Sequence, residues 1–313
     1  MQTNDTQGQW PRIIGLGIAG FLVLMSYSIA RPICESLFVA SYTKDSLPTV
    51  WLTVPAFTLS TVLFYNRYSS SFSLSSLYTG STLIACVALT LLHPTSIWNS
   101  EASIFLLYIW KDIYIVVLIE IFWSYANFTF NLVQARKLYG FFMACGTVGS
   151  FAGNMLVGLV AKDLGVGSLE TLWLVIPILF SSILVFKWVA HNSDFKPSPK
   201  APLRESLEVV GQSRYLGWLM ALILLVQISI TLIDYQYFSI LEQQNFDNDQ
   251  QTQVIGWVYG AIDIGAITLQ TLTVLILQKI GIRGTLLMVP IFLSGTVIGF
   301  LLLPRKVEPK QPL

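Results

Sequence analysis

Three charged side chains lie within one long apolar segment of this sequence. Lys111, Asp112 and Glu120 fall inside the stretch from residue 102 to residue 130, which is otherwise mostly apolar. At the centre of a membrane helix each such charge costs about 2.5–3.5 kcal/mol, whereas a Leu, Ile, Phe or Val contributes only about −0.3 to −0.6 kcal/mol. The cluster therefore predicts a helix that turns its charges toward a polar cavity or toward other helices.

The composition predicts an all-α polytopic membrane protein. Hydrophobic residues make up 54% of the chain and charged residues 11%, against about 25% charged residues in soluble domains. The apolar runs have the length of membrane-spanning helices. A net charge of +1 argues against a nucleic acid polymer as partner. Cys34, Cys86 and Cys145 have neither metal-ligand nor disulfide spacing, so no metal or cofactor is expected.

Nine hydrophobic segments are predicted to cross the membrane. They cover residues 12–31, 47–66, 74–92, 103–127, 138–161, 171–190, 215–238, 253–278 and 284–303. A polar, proline-punctuated stretch separates the sixth segment from the seventh. The predicted organisation is thus an N-terminal six-helix half at 1–190, a cytoplasmic linker at 191–214, and a partial C-terminal half of three helices at 215–313.

The basic residues predict the orientation of the chain. With the N-terminus inside, most loop Lys and Arg residues lie inside, namely Arg12, Arg67, Arg136, Lys137, Lys196, Lys200, Arg204, Arg214, Lys279 and Arg283. The outside loops then contain only Arg31, Lys44 and Lys162. The N-terminus is therefore predicted to be cytoplasmic, and a bacterial inner membrane is the expected location.

Six spans, a cytoplasmic linker and further spans form the layout of the major facilitator architecture, in which each six-helix half consists of two three-helix repeats. In this sequence the second half is shortened to three helices. Two explanations remain open at this point. Either the chain lacks three C-terminal helices, which a partner could supply, or it is a nine-helix protein or one in which a span is miscounted.

The membrane-embedded charges fall mainly on the first, fourth and seventh spans, which lead successive three-helix repeats and line the central cavity in a major facilitator arrangement. Asp263, in the eighth span, is the main exception. The predicted substrate-binding residues are Arg31, Glu35, Lys111, Asp112, Glu120 and Asp234. The alternative is that these charges form interhelical ion pairs that only fix packing, with Arg31 and Glu35 reaching toward the membrane interface.

Helical geometry separates the charges of the fourth span. At 100° per residue, Asp112 and Glu120 are about 80° apart and can share a face. Lys111 is about 180° from Glu120 and is predicted to pair with a charge on another helix. In the fifth span, Gly149 and Gly153 have the spacing that lets two helices pack closely.

Three sequence segments resemble those of the ATP/ADP translocases of plastids and obligate intracellular bacteria. The stretch Phe122–Asn127 resembles the FW-x-x-AN sequence that ends the family's fourth helix, and Ala135–Gly140 resembles the basic, aromatic turn that opens its fifth. Arg31–Ser41 resembles the charged segment after its first helix. The resemblance extends from about Gly15 to Pro304 and covers nine of the family's usual twelve spans.

The charges of the resembling family are only partly present. Cys34 stands where the family has a substrate-linked Lys, and Glu35 matches the acidic residue beside it. Lys111 stands where the family's fourth helix has a Glu, and Asp234 matches a Glu of the seventh. The family's Lys in the tenth helix has no counterpart in the sequence. Nucleotide phosphates need cationic partners, so the resemblance implies a carrier with an altered charge pattern.

The residues and the resemblance together predict a transporter that moves a polar, anionic solute, a nucleotide or a related compound, by alternating access. Lys111 would hold an anionic group, while Asp112, Glu120 and Asp234 would form ion pairs that break and remake between states. An enzyme is not expected, because no nucleophile–base pair or metal constellation is present. The alternative is a non-transporting, truncated paralogue that acts as a membrane sensor or assembly subunit. Membrane lipid is the other expected partner.

Overall fold

The computed structural model describes residues 10–95, 100–160, 165–191, 196, 208 and 211–302, with some side chains in residues 132–137 and 273–302 outside that description. The regular elements of this part are helical. They are α1 Trp10–Tyr42, α2 Leu47–Tyr68, α3 Leu74–Leu92, α4 Glu101–Thr129, α5 Leu132–Val160, α6 Ser168–Leu172, α7 Val175–Val189, α8 Arg214–Gln243 and α9 Asn248–Leu302.

The prediction of a polytopic helical membrane protein is confirmed. Within the described residues, 8 helical segments are long and apolar enough to span a membrane, with α6 and α7 together forming one of them. They coincide with the first eight predicted spans. The ninth predicted span, 284–303, lies within the long helix α9, after a break at Gly281. Gly281 has φ 70° and ψ 177°, a conformation that glycine adopts without steric cost.

Short polar side chains define where several helices begin. The hydroxyls of Ser73, Ser100 and Ser213 accept hydrogen bonds from backbone N–H groups in the first turns of α3, α4 and α8. At the start of α5, the N–H of Gln134 donates to the Asn131 side chain at 3.0 Å, and the Gln134 side chain accepts from the N–H of Asn131 at 3.3 Å. These contacts satisfy N–H groups that lack intrahelical partners.

The described helices belong to two compact units, Met1–Ile264 and Gly265–Leu313. In the first unit α1 is central and packs against α4, α5 and α7. The second unit consists of the rest of α9 and the residues that follow it. The division into two halves around residues 191–214 stays a prediction, because most of that linker lies outside the described residues.

Helices α1 and α5 make an unusually close contact. A Cβ atom at Gly149 would lie 2.2 Å from the carbonyl oxygen of Phe21, and one at Gly153 would lie 2.5 Å from that of Met25. No real side chain tolerates such distances, so both positions need glycine for this approach. The contact is the small-residue packing predicted from the spacing in the fifth span.

A second buried cluster joins five helix ends. Phe38 at the end of α1, Val50 near the start of α2, Tyr108 near the start of α4, Phe238 near the end of α8 and Ile255 near the start of α9 pack together. Most side chains of α8 before Asp234 are exposed, by contrast. The first unit is therefore closed by side chains at the end that the loop charges predict to be outside.

Candidate functional site

Glu35 is the centre of a buried ionic network near the C-terminal end of α1. The Nε of Arg31, one helical turn earlier, donates to Glu35 Oε1 at 3.0 Å. The hydroxyl of Tyr259, from α9, donates to Glu35 Oε2 at 2.8 Å and accepts from Arg31 Nη2 at 3.1 Å. The guanidinium carbon of Arg31 also lies 4.1 Å from the centroid of the Tyr259 ring. Glu35, only 3% exposed, is thus held by two helices.

Lys111 extends this network from α4. Its Nζ lies 3.0 Å from both carboxylate oxygens of Asp112 and 3.7 Å from Glu35 Oε1, and it lies 4.1 Å from the centroid of the Tyr108 ring. Lys111 is 2% exposed. The pairing of Lys111 with a charge on another helix is the contact expected from the geometry of the fourth span. Burying charged groups is costly in desolvation, and their mutual contacts offset part of that cost.

The four charges of this network balance. Arg31 and Lys111 are positive, and Glu35 and Asp112 are negative. Tyr27, also from α1, donates to Asp112 Oδ1 at 3.1 Å, which gives this carboxylate a neutral partner as well. A bound anion would therefore have to compete with a carboxylate of the protein for Arg31 or Lys111.

A cleft of about 780 Å³ borders the network. Its size falls within the range of about 300–1,000 Å³ typical of small-molecule sites. The charged residues Arg31, Glu35, Lys111, Asp112 and Asp234 line it, together with aromatic and apolar side chains of α1, α2, α4 and α8. The aromatic residues of the lining are Tyr27, Trp51, Tyr108, Tyr235 and Phe238. Five of the six predicted binding residues are thus brought to one cleft.

Asp234 differs from the other carboxylates of the cleft. It is half-buried in α8, and within the described part of the chain no hydrogen bond or ion pair engages its carboxylate. Ionised, it would give the cleft one excess negative charge.

Glu120 is the predicted residue that the structure places apart. It is half-buried on α4 and does not belong to the cleft lining. An angle of about 80° on one helix axis does not decide whether two side chains reach the same space, because they also differ by eight residues, or about 12 Å, along the axis. Of the two carboxylates on that face of α4, Asp112 lines the cleft and Glu120 does not.

Aromatic residues are the part of the site that charge-based reasoning missed. The indole Nε1 of Trp51 donates to the Tyr108 hydroxyl at 2.8 Å, and the Trp51 ring lies 6.5 Å from that of Tyr235 in an edge-on arrangement. Tyr259 bridges Arg31 and Glu35. In a sequence rich in aromatic residues these positions carry no distinguishing signal, and only their contacts with the charges single them out.

Cys34 is buried beside the network at 1% exposure. It is the position at which the resembling translocases have a Lys. Lys111 of α4 adds a second cation beside Glu35, at 3.7 Å, to the one that Arg31 of α1 supplies at 3.0 Å.

Polar contacts also join the helix ends around the closed side of the first unit. Lys44, between α1 and α2, pairs with Glu242 at the end of α8 at 3.3 Å. The N–H of Ser168, at the start of α6, donates to Asp249 Oδ1 of α9 at 2.8 Å. These contacts are partly exposed and each is weak by itself. Together they hold α8 and α9 against the earlier helices at this end.

Apolar spans, with buried charges of both signs beside a cleft, define an integral membrane protein. The comparison with known proteins gives the family: the chain belongs to the TLC ATP/ADP transporter family, whose profile matches residues 92–308. This confirms the resemblance seen in the sequence motifs.

Curated relatives have carrier names. The chain is 23% identical to the chloroplastic ADP,ATP carrier protein 1 of Arabidopsis thaliana over 96% of its own length, and spans 56% of the length of that relative. It is 21% identical to ADP,ATP carrier protein 3 of Rickettsia prowazekii, over 92% of this chain and 69% of the relative. The same protein of Rickettsia bellii gives 21% identity with coverages of 92% and 70%. No solved structure matches the chain. These names support the prediction that the protein is not an enzyme.

Proposed function

We propose that the protein carries a nucleotide, or a related anionic solute, across the membrane by alternating access. The observation that carries this proposal is the neutral network of Arg31, Glu35, Lys111 and Asp112 on the wall of an aromatic cleft. Ionisable groups inside a membrane bundle are characteristic of a solute or ion pathway. Membership of a family of ATP/ADP transporters supports the same solute class.

The chemistry of the cleft suits a nucleotide in two ways. Arg31, whose side chain is 33% exposed, is the most accessible cation of the network, and a guanidinium can bind a phosphate through two parallel hydrogen bonds. Tyr27, Trp51 and Tyr235 offer aromatic faces and edges within the same cleft, and aromatic rings stack on nucleobases. A phosphate near Arg31 and a base near these rings would lie in one cavity.

The balanced charges imply how the solute would be bound and released. A phosphate that approaches Arg31 displaces it from Glu35, which then has Lys111 and the Tyr259 hydroxyl as its remaining partners. Because Tyr259 belongs to α9 and Glu35 to α1, this exchange changes the contact between an early and a late helix. Ion pairs that exchange in this way would link solute binding to movement of the helices.

The two ends of the first unit support alternating access. One end is closed by the Phe38–Phe238 cluster and by the Lys44–Glu242 pair, while most of α8 before Asp234 is exposed. A carrier that opens to one side at a time would break the first set of contacts when it opens outward. We further propose the orientation that the loop charges predict, with the N-terminus cytoplasmic in a bacterial inner membrane.

The comparisons do not support the alternative of a non-transporting sensor or assembly subunit, nor a partner that supplies further helices. The chain spans little more than half of the chloroplast relative, so solute, coupling and direction of transport belong to the proposal.

Uptake of radiolabelled nucleotides into cells that express the full chain tests the proposal. We expect wild type to take up at least one member of a panel of nucleoside mono-, di- and triphosphates, and Arg31→Gln to lower that uptake by roughly tenfold or more, because a charge-assisted contact is lost. Arg67→Gln is the matched control, since Arg67 is exposed at the end of α2 and outside the cleft.

The result that would overturn the proposal is uptake no higher than in cells without the protein for every nucleotide of the panel, with the protein present in the membrane. Equal uptake by Arg31→Gln and wild type would refute the assignment of the cleft as the solute site. Expression and membrane insertion of each variant are followed by immunoblot of the membrane fraction.

A further inference from the structure

A second polar cluster lies between α1, α5 and α9, outside the cleft lining. Its only charged member is Asp263 of α9, which is half-buried. Asp263 Oδ2 accepts two hydrogen bonds from α5, from the Ser150 hydroxyl at 2.8 Å and from Asn154 Nδ2 at 2.7 Å. The sequence had singled out Asp263 as the charge that does not follow the pattern of the repeat-leading helices.

The hydroxyls of the cluster form a chain that points toward the carboxylate. Ser150 uses its proton to donate to Asp263, so in its contact with Ser28, at 2.7 Å, Ser28 must be the donor. Ser28 is 4% exposed and belongs to α1. Among the described residues, no further group donates to either hydroxyl oxygen, so both keep free lone pairs. The close α1–α5 contact at Gly149 and Gly153 brings these two serines together.

Asn154 leaves an acceptor unsatisfied in the same place. It is 3% exposed, and its carboxamide points at Asp263. Among the described residues no group donates to Asn154 Oδ1, although that atom is buried. A buried acceptor without a donor is unfavourable. The cluster therefore combines one negative charge, one unsatisfied amide oxygen and two hydroxyl oxygens.

Asp263 has no cation of the protein as a direct partner. In the described part of the chain, no Lys or Arg nitrogen lies within 4.0 Å of its carboxylate. The contrast with Glu35 and Asp112 is clear, since each of those carboxylates contacts at least one cationic side chain. A carboxylate in a membrane span that contacts only neutral donors can be stabilised by a bound cation.

We propose that Asp263, Asn154, Ser150 and Ser28 bind a monovalent metal cation the size of sodium. Oxygen ligands suit a hard cation, and a single carboxylate matches a single positive charge, whereas Ca²⁺ sites usually recruit several carboxylates. A proton on Asp263 would also neutralise the carboxylate, but it would leave the buried Asn154 Oδ1 without a partner. A metal cation draws on the carboxylate and the hydroxyl lone pairs, and on Asn154 Oδ1 once the carboxamide rotates to turn this atom, in place of Nδ2, toward Asp263.

The bound cation would join α9 to α1 and α5. Asp263 comes from α9, whereas Ser28 and Ser150 come from helices of the predicted N-terminal half. The ion would thereby favour the arrangement in which these helices are in contact. Secondary carriers couple solute movement to ions bound at such helix contacts. The proposed sodium site is independent of the proposed nucleotide site, because sodium binding can be measured with no nucleotide present.

Binding of sodium-22 to the purified full chain in detergent tests this site, with choline chloride added to hold the ionic strength constant. We expect saturable binding to wild type and its loss in Asp263→Asn. Ser150→Ala and Asn154→Ala each remove one oxygen ligand, and we expect each to weaken the affinity by roughly tenfold. Asp45→Asn, at an exposed carboxylate between α1 and α2, is the matched control and should bind as wild type does.

The proposal is overturned if wild type shows no saturable sodium binding, or if Asp263→Asn binds sodium with unchanged affinity. Size-exclusion chromatography in choline chloride checks that each variant is folded. If Asp263→Asn does not yield a folded protein, the affinities of Ser150→Ala and Asn154→Ala decide the matter, and unchanged affinity in both refutes the site. A failure of nucleotide uptake would leave these sodium measurements unaffected.

Discussion

The carboxylates of the two polar clusters in the first unit are compensated in opposite ways. Around Glu35, the protein supplies both signs of charge, so that Arg31 and Lys111 balance Glu35 and Asp112 within 4 Å. Around Asp263, the protein supplies only neutral donors and leaves a buried acceptor unsatisfied. A solute at the first cluster must therefore compete with counter-charges that the chain supplies, whereas a ligand at the second cluster would supply the charge that the chain lacks there.

The ionic network should be the more sensitive of the two clusters to loss of a charge. Lys111→Met leaves Glu35 and Asp112 with one cation between them, and removing one partner of a buried ion pair costs about 3–5 kcal/mol. We expect the free energy of unfolding to fall by about that amount. The measurement is thermal unfolding of the purified protein in detergent.

Lys44→Met is the matched control for Lys111→Met. Lys44 also pairs with a Glu, but its side chain is 29% exposed, and such pairs contribute about 0.2–1 kcal/mol. If the two variants lost equal stability, burial would not be what distinguishes the network, and the contrast between the clusters would fail.

Replacing one carboxylate in each cluster compares them directly. Asp112→Asn removes the closest partner of buried Lys111, which keeps only Glu35 at 3.7 Å, and we expect a loss of about 1.5–3 kcal/mol. Asp263→Asn removes a charge without depriving any cation of its partner. In choline chloride we expect a smaller loss than in Asp112→Asn, because an amide oxygen still accepts hydrogen bonds from Ser150 and Asn154 and no cation is left unpaired. Thermal unfolding in sodium-free buffer measures both, and a larger loss in Asp263→Asn would contradict the comparison.

His93 illustrates a third case, a buried side chain outside the membrane-spanning segments that is hydrogen-bonded in its neutral form. Thr95 N–H donates to its Nδ1 at 3.2 Å, so Nε2 carries the proton and donates to the Leu169 carbonyl at 3.0 Å. The ring also stacks on Trp173. Burial lowers the pKa of His93 below its ordinary value of 6.5 and outweighs Leu169 and Glu170, which act in the opposite direction.

The smallest expected effect is therefore a dependence of stability on pH. The pKa of His93 is 6.5 in the unfolded chain and lower in the folded chain. At a pH between these two values, the unfolded chain binds more protons at His93 than the folded chain does. The contribution of neutral His93 to the free energy of unfolding therefore decreases as the pH is lowered from 6.5 through the folded-state pKa. We expect His93→Gln to flatten the decline in unfolding temperature below pH 6.5, whereas His191→Gln, at an exposed residue, should leave it unchanged. An identical decline in wild type and His93→Gln would show that other groups cause it.

Much of the architecture could be predicted from hydropathy alone. Apolar runs of about twenty residues form helices across the membrane, because in lipid every backbone polar group must be hydrogen-bonded within the segment. The interruption between residues 278 and 284 likewise predicted the break at Gly281. Charges inside apolar runs are rare enough to be informative, and five of the six predicted binding residues line one cleft.

The composition of the clusters could not be predicted in the same way. Glu120 and Asp112 are equally conspicuous in the sequence, yet only Asp112 lines the cleft. Tyr259, Ser28 and Asn154 are inconspicuous, yet each has a contact that the proposed sites depend on. The spacing of Ser150 and Asn154, one helical turn apart on α5, was the signal that could have linked them to a common partner.

The apolar composition of each span is enough to specify a bundle of membrane helices, because burial of apolar side chains in lipid depends on composition over a span. Which charges neutralise one another depends instead on how the helices pack. Ion pairing acts over a few ångströms, and residues as distant in the chain as Glu35 and Lys111, or Asp263 and Ser150, come within that distance only when particular helices pack together. The close approach of α1 and α5 at Gly149 and Gly153 is one such packing, and it is what places Ser28 within reach of Ser150.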